Sequence, residues 1–244
     1  ILQKLGIEKL NPMQLDAHAA IHSNSNVLLL SATGTGKTLA FLLPLIAELD
    51  PTNPNVQALI LTPTRELAIQ IETVLREIGS GFKCNAVYGG RPISKDKIEL
   101  SHTPAVVIGT PGRVADHVRR ETFSTEDIKT LVLDEFDKSL EIGFAEDMSE
   151  ILFALPNVKK KILTSATQKS SIPGFVDFQE HKVVDYSDEG VPNLQLKLIS
   201  SPEKDKLNTL LKVMEHLGNQ AGIIFCNFKE SIARTSEFLD ENNI

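Results

Sequence analysis

The sequence predicts an α/β fold, a parallel sheet with helices on both faces, from three features of its 244 residues. Short apolar runs rich in Val, Leu and Ile recur without alternation, which is how strands buried on both faces read. Longer amphipathic stretches separate them, with a crossover of about 30 residues that fits βαβ units. A glycine-bearing loop joins the first apolar run to the first helical stretch.

Taken in order, the predicted strands are Val27–Leu30, Ala58–Leu61, Asn85–Tyr88, Ala105–Ile108, Leu131–Leu133 and Lys161–Leu163. Leu67, Ile71, Val74, Leu75 and Ile78 fall on one helical face, and Met148, Ile151, Leu152 and Leu155 on another. Both stripes read as core packing. The texture changes near Tyr186–Pro202. Ser187–Pro192 is polar and turn-rich, and then Leu194, Leu196 and Leu198 alternate with Gln195 and Lys197, as a short half-exposed strand does. A helical pattern with Leu207, Leu210, Leu211 and Met214 follows. Next come a buried-looking strand, Gly222–Cys226, and a second helical pattern to Leu239. The expected organisation is a first domain over 1–186, a linker over 187–202, and the opening of a second α/β unit over 203–244. About 40 residues cannot close a sheet of that kind, so the second domain is expected to be truncated at Ile244. A start at Ile1 also suggests a fragment.

Composition sets the outer bounds. With 41% hydrophobic residues, the chain can bury a full core. At ~150 residues per domain it holds one or two. The longest apolar runs, around Leu39–Leu45 and Val27–Leu30, fall far short of the ~20 residues that span a bilayer, so no membrane association is expected. No basic segment of a signal peptide is visible before Ile1. Cys84 and Cys226 lie in apolar runs outside any Cys/His cluster and read as buried, reduced thiols, which fits a cytoplasmic protein. The six histidines (His18, His22, His102, His117, His181, His216) lack metal-ligand spacing and read as surface or core residues. Arg119-Arg120 reads as a solvated helix end. A formal charge of −7 argues against a protein that coats nucleic acid broadly, but a local phosphate groove is compatible with it.

The segment Ser31-Ala32-Thr33-Gly34-Thr35-Gly36-Lys37-Thr38 follows the first strand directly and opens a helix. Gly34 and Gly36 let several backbone N–H groups converge on phosphate oxygens, and the helix N-terminus adds its positive dipole end. Lys37 supplies a charge for the β- and γ-phosphates, and Thr38 a hydroxyl for Mg²⁺. The general pattern G-x-x-x-x-G-K-[ST] has Gly where Ser31 stands. A dinucleotide fingerprint fails because its third glycine falls on Leu39.

A triphosphate needs a second anchor. Asp134-Glu135-Phe136-Asp137 follows the strand Leu131–Leu133. Asp134 at a strand end can hold Mg²⁺ through its waters, and Glu135 can orient and deprotonate the attacking water. Alone, such an acidic end is as often a solvated turn. Beside the phosphate loop, it reads as the other half of one site.

With these segments in order, the chain resembles the DEAD-box RNA helicases of superfamily 2, from about Gly6 to Asn227. The resemblance implies two RecA-like domains of the P-loop NTPase type, with ATP and RNA bound across their cleft. Gly6-Ile7 and Asn11-Pro12-Met13-Gln14 look like the family's adenine-reading motif, in which Gln14 bonds the adenine edge; the family's upstream aromatic residue would precede Ile1. Residues Ala32, Thr33, Gly34, Thr35, Gly36, Lys37 and Thr38 hold the nucleotide. Asp134–Asp137 stands at the Asp-Glu-Ala-Asp position, with Phe136 for alanine, a ring expected to pack against the neighbouring loop. Ser165-Ala166-Thr167 matches the coupling motif, Ser165 and Thr167 bonding Asp137 or its surroundings. Pro63-Thr64-Arg65, Gly89-Gly90 and Thr110-Pro111-Gly112-Arg113 match segments that grip the RNA backbone without reading bases. Ile223–Asn227, with Phe225, resembles the first motif of the second domain. The implied protein is a cytoplasmic, monomeric ATP-dependent RNA helicase using Mg²⁺. This chain, lacking the later arginine-bearing motifs, is expected to bind ATP or ADP but hydrolyse it poorly. Two rival readings stay open: another superfamily 2 DNA or RNA translocase, and a non-catalytic ATP-dependent RNA clamp.

Overall fold

The computed structural model of the chain describes residues 2–167, 171–188, 195–218 and 220–244. It divides into two compact units, Ile1–Pro192 and Asn193–Ile244. Of the expected linker, residues 189–194, including Leu194, lie outside the described residues.

In the first unit the strands are β1 (Asn26–Ser31), β2 (Ala58–Leu61), β3 (Cys84–Val87), β4 (Val106–Gly109), β5 (Thr130–Leu133), β6 (Lys160–Ser165) and β7 (Lys182–Tyr186). They form one sheet in the order β3-β4-β2-β5-β6-β1-β7, and every pairing is parallel. The helices are α1 (Pro12–Ser23), α2 (Lys37–Ala47), α3 (Arg65–Ile78), α4 (Ile93–Leu100), α5 (Pro111–Arg119), α6 (Phe136–Ile142) and α7 (Ala145–Phe153). β1 to β6 are the strands the sequence predicts, with ends displaced by no more than two residues. β7 is not predicted. It is the edge strand beside β1, and of its hydrophobic residues only Val184 is buried, so it carries no continuous apolar run.

Successive strand residues face opposite layers, which is why the runs do not alternate. Val27, Leu29, Ile60, Ile108 and Val132 pack with Phe41 of α2 and Ile71 of α3. Leu59, Leu61, Val107, Leu131 and Leu133 pack with Val114 of α5 and Met148 of α7. Each such side chain contributes about 1.5–3 kcal/mol of transfer free energy. Local chemistry starts the helices. Asn11 and Gln14 form a reciprocal capping box at α1, with Pro12 at its first position. Thr64 Oγ1 accepts from Leu67 N at 3.3 Å at the start of α3. Gly109 is required where β3, β4 and α5 meet, because a Cβ there would lie 2.6 Å from both Val87 O and Val114 Cγ2.

The second unit contains α8 (Leu207–Leu217) and α9 (Lys229–Glu241), the two helical patterns the sequence shows. The strand expected at Gly222–Cys226 is not formed, and Ile223 and Phe225 are 82% and 90% exposed. Nor is there a strand through Leu196 and Leu198, both exposed. A strand is stable only when its N–H and C=O groups find a ladder partner, and no strand is present among the described residues of this unit. For the same reason Cys226 is partly exposed rather than buried, while Cys84 is buried as expected; both thiols are free. No helix among the described residues is long and apolar enough to cross a membrane.

Candidate active site

Because the sheet is parallel, the carboxyl ends of β5, β6 and β1 lie side by side, and the site is built on that edge. The loop after β1 turns through Gly34 (φ +86°) and Gly36 (φ +92°) into α2. Ser31 has no positive φ, so the position tolerates a side chain. Its hydroxyl is 2.7 Å from Thr35 Oγ1, which donates to Ala32 O at 2.9 Å, so Ser31 acts as donor and braces the loop. Lys37 is buried and donates from Nζ to Ser31 O at 2.5 Å and Ala32 O at 2.9 Å. Burial lowers its pKa, opposed by the charges of Asp134 and Glu135.

Asp134 leaves the end of β5 level with Thr164 on neighbouring β6, and Thr164 Oγ1 donates to Asp134 Oδ1 at 2.6 Å. The same hydroxyl accepts from Glu135 N at 3.0 Å. Burial raises the pKa of Asp134 from 3.8 to about 6, against the pull of the Thr164 bond, so the group is ionised at neutral pH. Glu135 sits in the left-handed region at φ 47°, ψ 49°, a conformation rare for a side-chain-bearing residue, and it caps α6. Its Oε2 pairs with Lys138 Nζ at 2.8 Å. Asp137 is buried, and its Oδ1 has no partner among the described residues.

These two halves share one cavity of about 360 Å³, lined by Thr33, Gly34, Gly36, Lys37, Thr38, Asp134 and Glu135. Its far wall is Leu5 and Ile7 with Leu67, Gln70, Val74 and Glu77 of α3. Leu67 is thus cavity wall rather than core, a correction to the stripe reading, while Val74 lines the cavity and packs against the core as well. Nothing in the periodicity separates a wall from a core, because both need the same helical face.

Contacts describe four further residues in more detail. Gln14 is 6% exposed, and its amide is engaged with the chain itself. Oε1 accepts from Asn11 N at 3.0 Å and Nε2 donates to Gly36 O at 3.2 Å. With Asn11 Nδ2 donating to Thr35 O at 3.0 Å, α1 grips the phosphate loop from behind. One donor hydrogen and one lone pair of the Gln14 amide remain for other partners. Ser165 does not bond Asp137: it donates to Thr167 O at 2.7 Å and accepts from Thr167 N at 3.0 Å. The residue that ties β6 to the acidic turn is Thr164, which sequence reasoning missed; only strand order places it there. Phe136 is 2% exposed and joins the core layer of α5 and α7. Arg119 and Arg120 are exposed at the end of α5, as the sequence reads, and Arg119 adds a surface ion pair, its Nε and Nη2 donating to Glu150 at 2.7 and 2.5 Å.

The three rim segments follow β2, β3 and β4, adjacent strands of the same edge. Arg65 is exposed beside Glu66, and Gly89 and Gly90 are exposed. Thr64 and Thr110 are half-buried N-cap residues, Pro111 is buried at the first position of α5, as Pro63 is ahead of α3, and Gly112 is half-buried. Arg113 points inward, with Nε 2.6 Å from Asp96 Oδ2 and Nη2 donating to Arg91 O at 2.5 Å. An available phosphate-binding guanidinium is therefore not what the structure shows at this position.

Comparison with known proteins agrees with this geometry. The sequence pattern of the DEAD/DEAH box helicase family matches residues 11–173. The DEAD-box ATP-dependent RNA helicase CshA of Bacillus subtilis is 33% identical over 245 aligned residues, covering 98% of this chain and 50% of that protein. CshA of Geobacillus kaustophilus is 34% identical, covering 98% and 52%. The chain spans about half the length of the curated relatives it matches. Among solved structures, a DEAD box protein from Methanococcus jannaschii superposes with a TM-score of 0.68 at 27% identity, over 99% of this chain and 66% of that one. Mss116p bound to ssRNA and AMP-PNP gives 0.68 at 29% identity, over 75% and 41%. The seven-stranded parallel sheet is accordingly the RecA-like sheet of those structures. With the phosphate loop, the acidic turn and the rim segments on one sheet edge, and a family pattern covering most of the first unit, the chain belongs to the DEAD/DEAH box helicase family.

Proposed function

We propose that this chain is the ATP-binding part of an ATP-dependent RNA helicase. Residues 1–186 form its ATP-binding RecA-like domain, 187–202 the linker, and 203–244 the start of a second RecA-like domain. The observation that carries the reading is the single cavity shared by Lys37, Thr38, Asp134 and Glu135, on the same sheet edge as the rim segments. Ala32, Thr33, Gly34, Thr35 and Gly36 supply the loop around the phosphates. Lys37 neutralises them from a buried position, and Gln14 holds the loop while keeping amide capacity for adenine.

The residues present fit Mg²⁺. The Thr38 hydroxyl and the Asp134 carboxylate are hard oxygen donors, and Mg²⁺ characteristically takes few protein ligands and completes its shell with water and phosphate. Asp134 keeps its second oxygen out of the Thr164 bond and is charged at neutral pH. Bound Mg²⁺ would neutralise charge on the β- and γ-phosphates. Glu135, aimed by its left-handed backbone and the Thr164 anchor, orients the water that attacks the γ-phosphate and takes its proton. Pro63, Thr64, Arg65, Gly89, Gly90, Thr110, Pro111 and Gly112 offer backbone amides, hydroxyls and one exposed guanidinium to an RNA backbone. Such contacts carry no sequence information. We place the work of the protein in the cytoplasm, in keeping with its two free thiols, and take it to act as a monomer.

The test is nucleotide hydrolysis with and without nucleic acid. Single-stranded RNA is expected to raise ATP turnover, and DNA of the same sequence is not. Equal stimulation by both would replace the RNA helicase with another superfamily 2 translocase.

A pH prediction follows from Asp134. Its protonation removes the negative charge that holds the cation, so Mg²⁺-dependent nucleotide affinity should fall as pH drops through about 6. Below that midpoint the loss should approach about tenfold per pH unit. The Thr164 bond lowers the Asp134 pKa, so Thr164→Val should move the midpoint upward. Fluorescent-nucleotide titrations between pH 5 and 8, with and without Mg²⁺, read this; an unmoved midpoint in the variant would show that Thr164 does not govern the carboxylate.

A further inference from the structure

One ionic cluster lies outside the nucleotide site. The Asp96 side chain, on α4, is fully buried and meets three basic groups. Arg91 Nε is 2.5 Å from Oδ1, in contact but outside hydrogen-bond alignment. Arg113 Nε is 2.6 Å and His117 Nε2 3.0 Å from Oδ2. His117 is itself buried, with Nδ1 2.8 Å from Thr122 Oγ1. Arg91 also donates to Ala86 O at 2.9 Å and to Glu99 Oε2 at 2.8 Å, and stacks over Tyr88.

The chain positions matter more than the number of bonds. Arg91 directly follows Gly89-Gly90, in the turn after β3. Arg113 closes Thr110–Gly112, in the first turn of α5, which directly follows β4. Arg113 Nη2 donates to Arg91 O at 2.5 Å, so the guanidinium of one turn also satisfies the backbone of the other. Gly90, at φ +87°, has no side chain to hold its own turn.

We propose that Asp96 is a positioning residue: with Arg91 and Arg113 it locks the turn after β3 to the first turn of α5, and Arg113 belongs to this lock and not to the phosphate contacts. A planar guanidinium paired with a carboxylate fixes orientation as well as distance, which a lysine at the same place does not. The lock presets the amides of Gly90 and Gly112 on the rim before any ligand arrives. Its nucleic-acid consequence rests on the RNA-binding reading above; its structural half does not.

Two measurements on the full chain test it. The first is amide hydrogen exchange. Asp96→Asn keeps the side chain's shape and removes its charge. Exchange at the hydrogen-bonded amides beside the two turns, Lys95 (to Pro92 O) and Arg113 and Val114 (both to Thr110 O), is expected to speed up by about tenfold or more, while α3 stays protected. Arg113→Lys keeps the positive charge, loses the fork, and serves if Asp96→Asn does not fold. Unchanged exchange at both turns in a folded variant overturns the proposal, whether or not RNA binds.

The second is binding of a labelled single-stranded oligoribonucleotide across a salt series. The lock predicts about tenfold weaker binding for Asp96→Asn with an unchanged salt slope. If Arg113 were a phosphate contact restrained by Asp96, freeing it would tighten binding and steepen the slope by ~0.7, and that result overturns the proposal. Arg65→Gln calibrates the measurement, since loss of an exposed phosphate contact should reduce the slope by ~0.7. Wild-type chain that bound no RNA would count against the proposed function, and the exchange data would still decide the lock.

Discussion

Glu135→Gln is expected to leave Mg²⁺–ATP affinity within about threefold of the wild type and to lower RNA-stimulated turnover by about 10²–10⁴-fold. Glutamine matches glutamate in length, and its carbonyl can still accept from Lys138, which lies 2.8 Å from Glu135 Oε2. The Thr164 bond to the residue 135 N–H involves backbone and survives the change. What goes is the ability to accept a proton from water. The Glu135 bond raises the pKa of Lys138 in the wild type, so Lys138 stays charged beside the acid. Rapid-mix hydrolysis with parallel nucleotide titration separates chemistry from binding. A variant that turned over normally would remove Glu135 from the role of base.

Gly36→Ala should weaken nucleotide binding by about 100-fold or more, and Gly34→Ala by clearly less. Both glycines have positive φ, +92° and +86°, where a side chain costs about 1–2 kcal/mol. Only at Gly36 would the new Cβ also strike something, Gln14 Nε2 at 2.5 Å; at Gly34 nothing lies within 4 Å. The clash would push Gln14 off the Gly36 carbonyl and disturb the α1 grip on the loop. Each net hydrogen bond lost adds about 1 kcal/mol to the strain. Gln14→Ala alone loses the bond to Gly36 O without adding strain at residue 36, and it should also weaken binding. Titration with a fluorescent ADP analogue checks all three. Equal losses at positions 34 and 36 would mean that strain alone acts and that α1 does not grip the loop.

How much of this was legible beforehand differs by feature. Six of the seven strands could be read because burial on both faces demands continuous Val, Leu and Ile. β7 could not, since an edge strand with one buried hydrophobic residue has no such signature. Gly222–Cys226 reads as a strand by composition, yet among the described residues no second strand of its unit offers a ladder. The phosphate loop was visible in full because its requirements are local: two positive-φ residues, a lysine and a hydroxyl at one helix start. Thr164 carried no local sign. It became a partner of Asp134 and Glu135 only because β6 lies next to β5 in register.

By itself, then, the sequence determined the parallel α/β architecture, the phosphate loop and the acidic turn, each written into a few contiguous residues by backbone geometry and burial. Tertiary structure alone decided which way the polar side chains face: Gln14 toward the loop carbonyl, Arg113 inward to Asp96, Thr164 between the two acids. The reason is physical. The free energy of a charged or amide group depends on neighbours in space, and strand order brings those neighbours from positions 17 to 30 residues away along the chain or more.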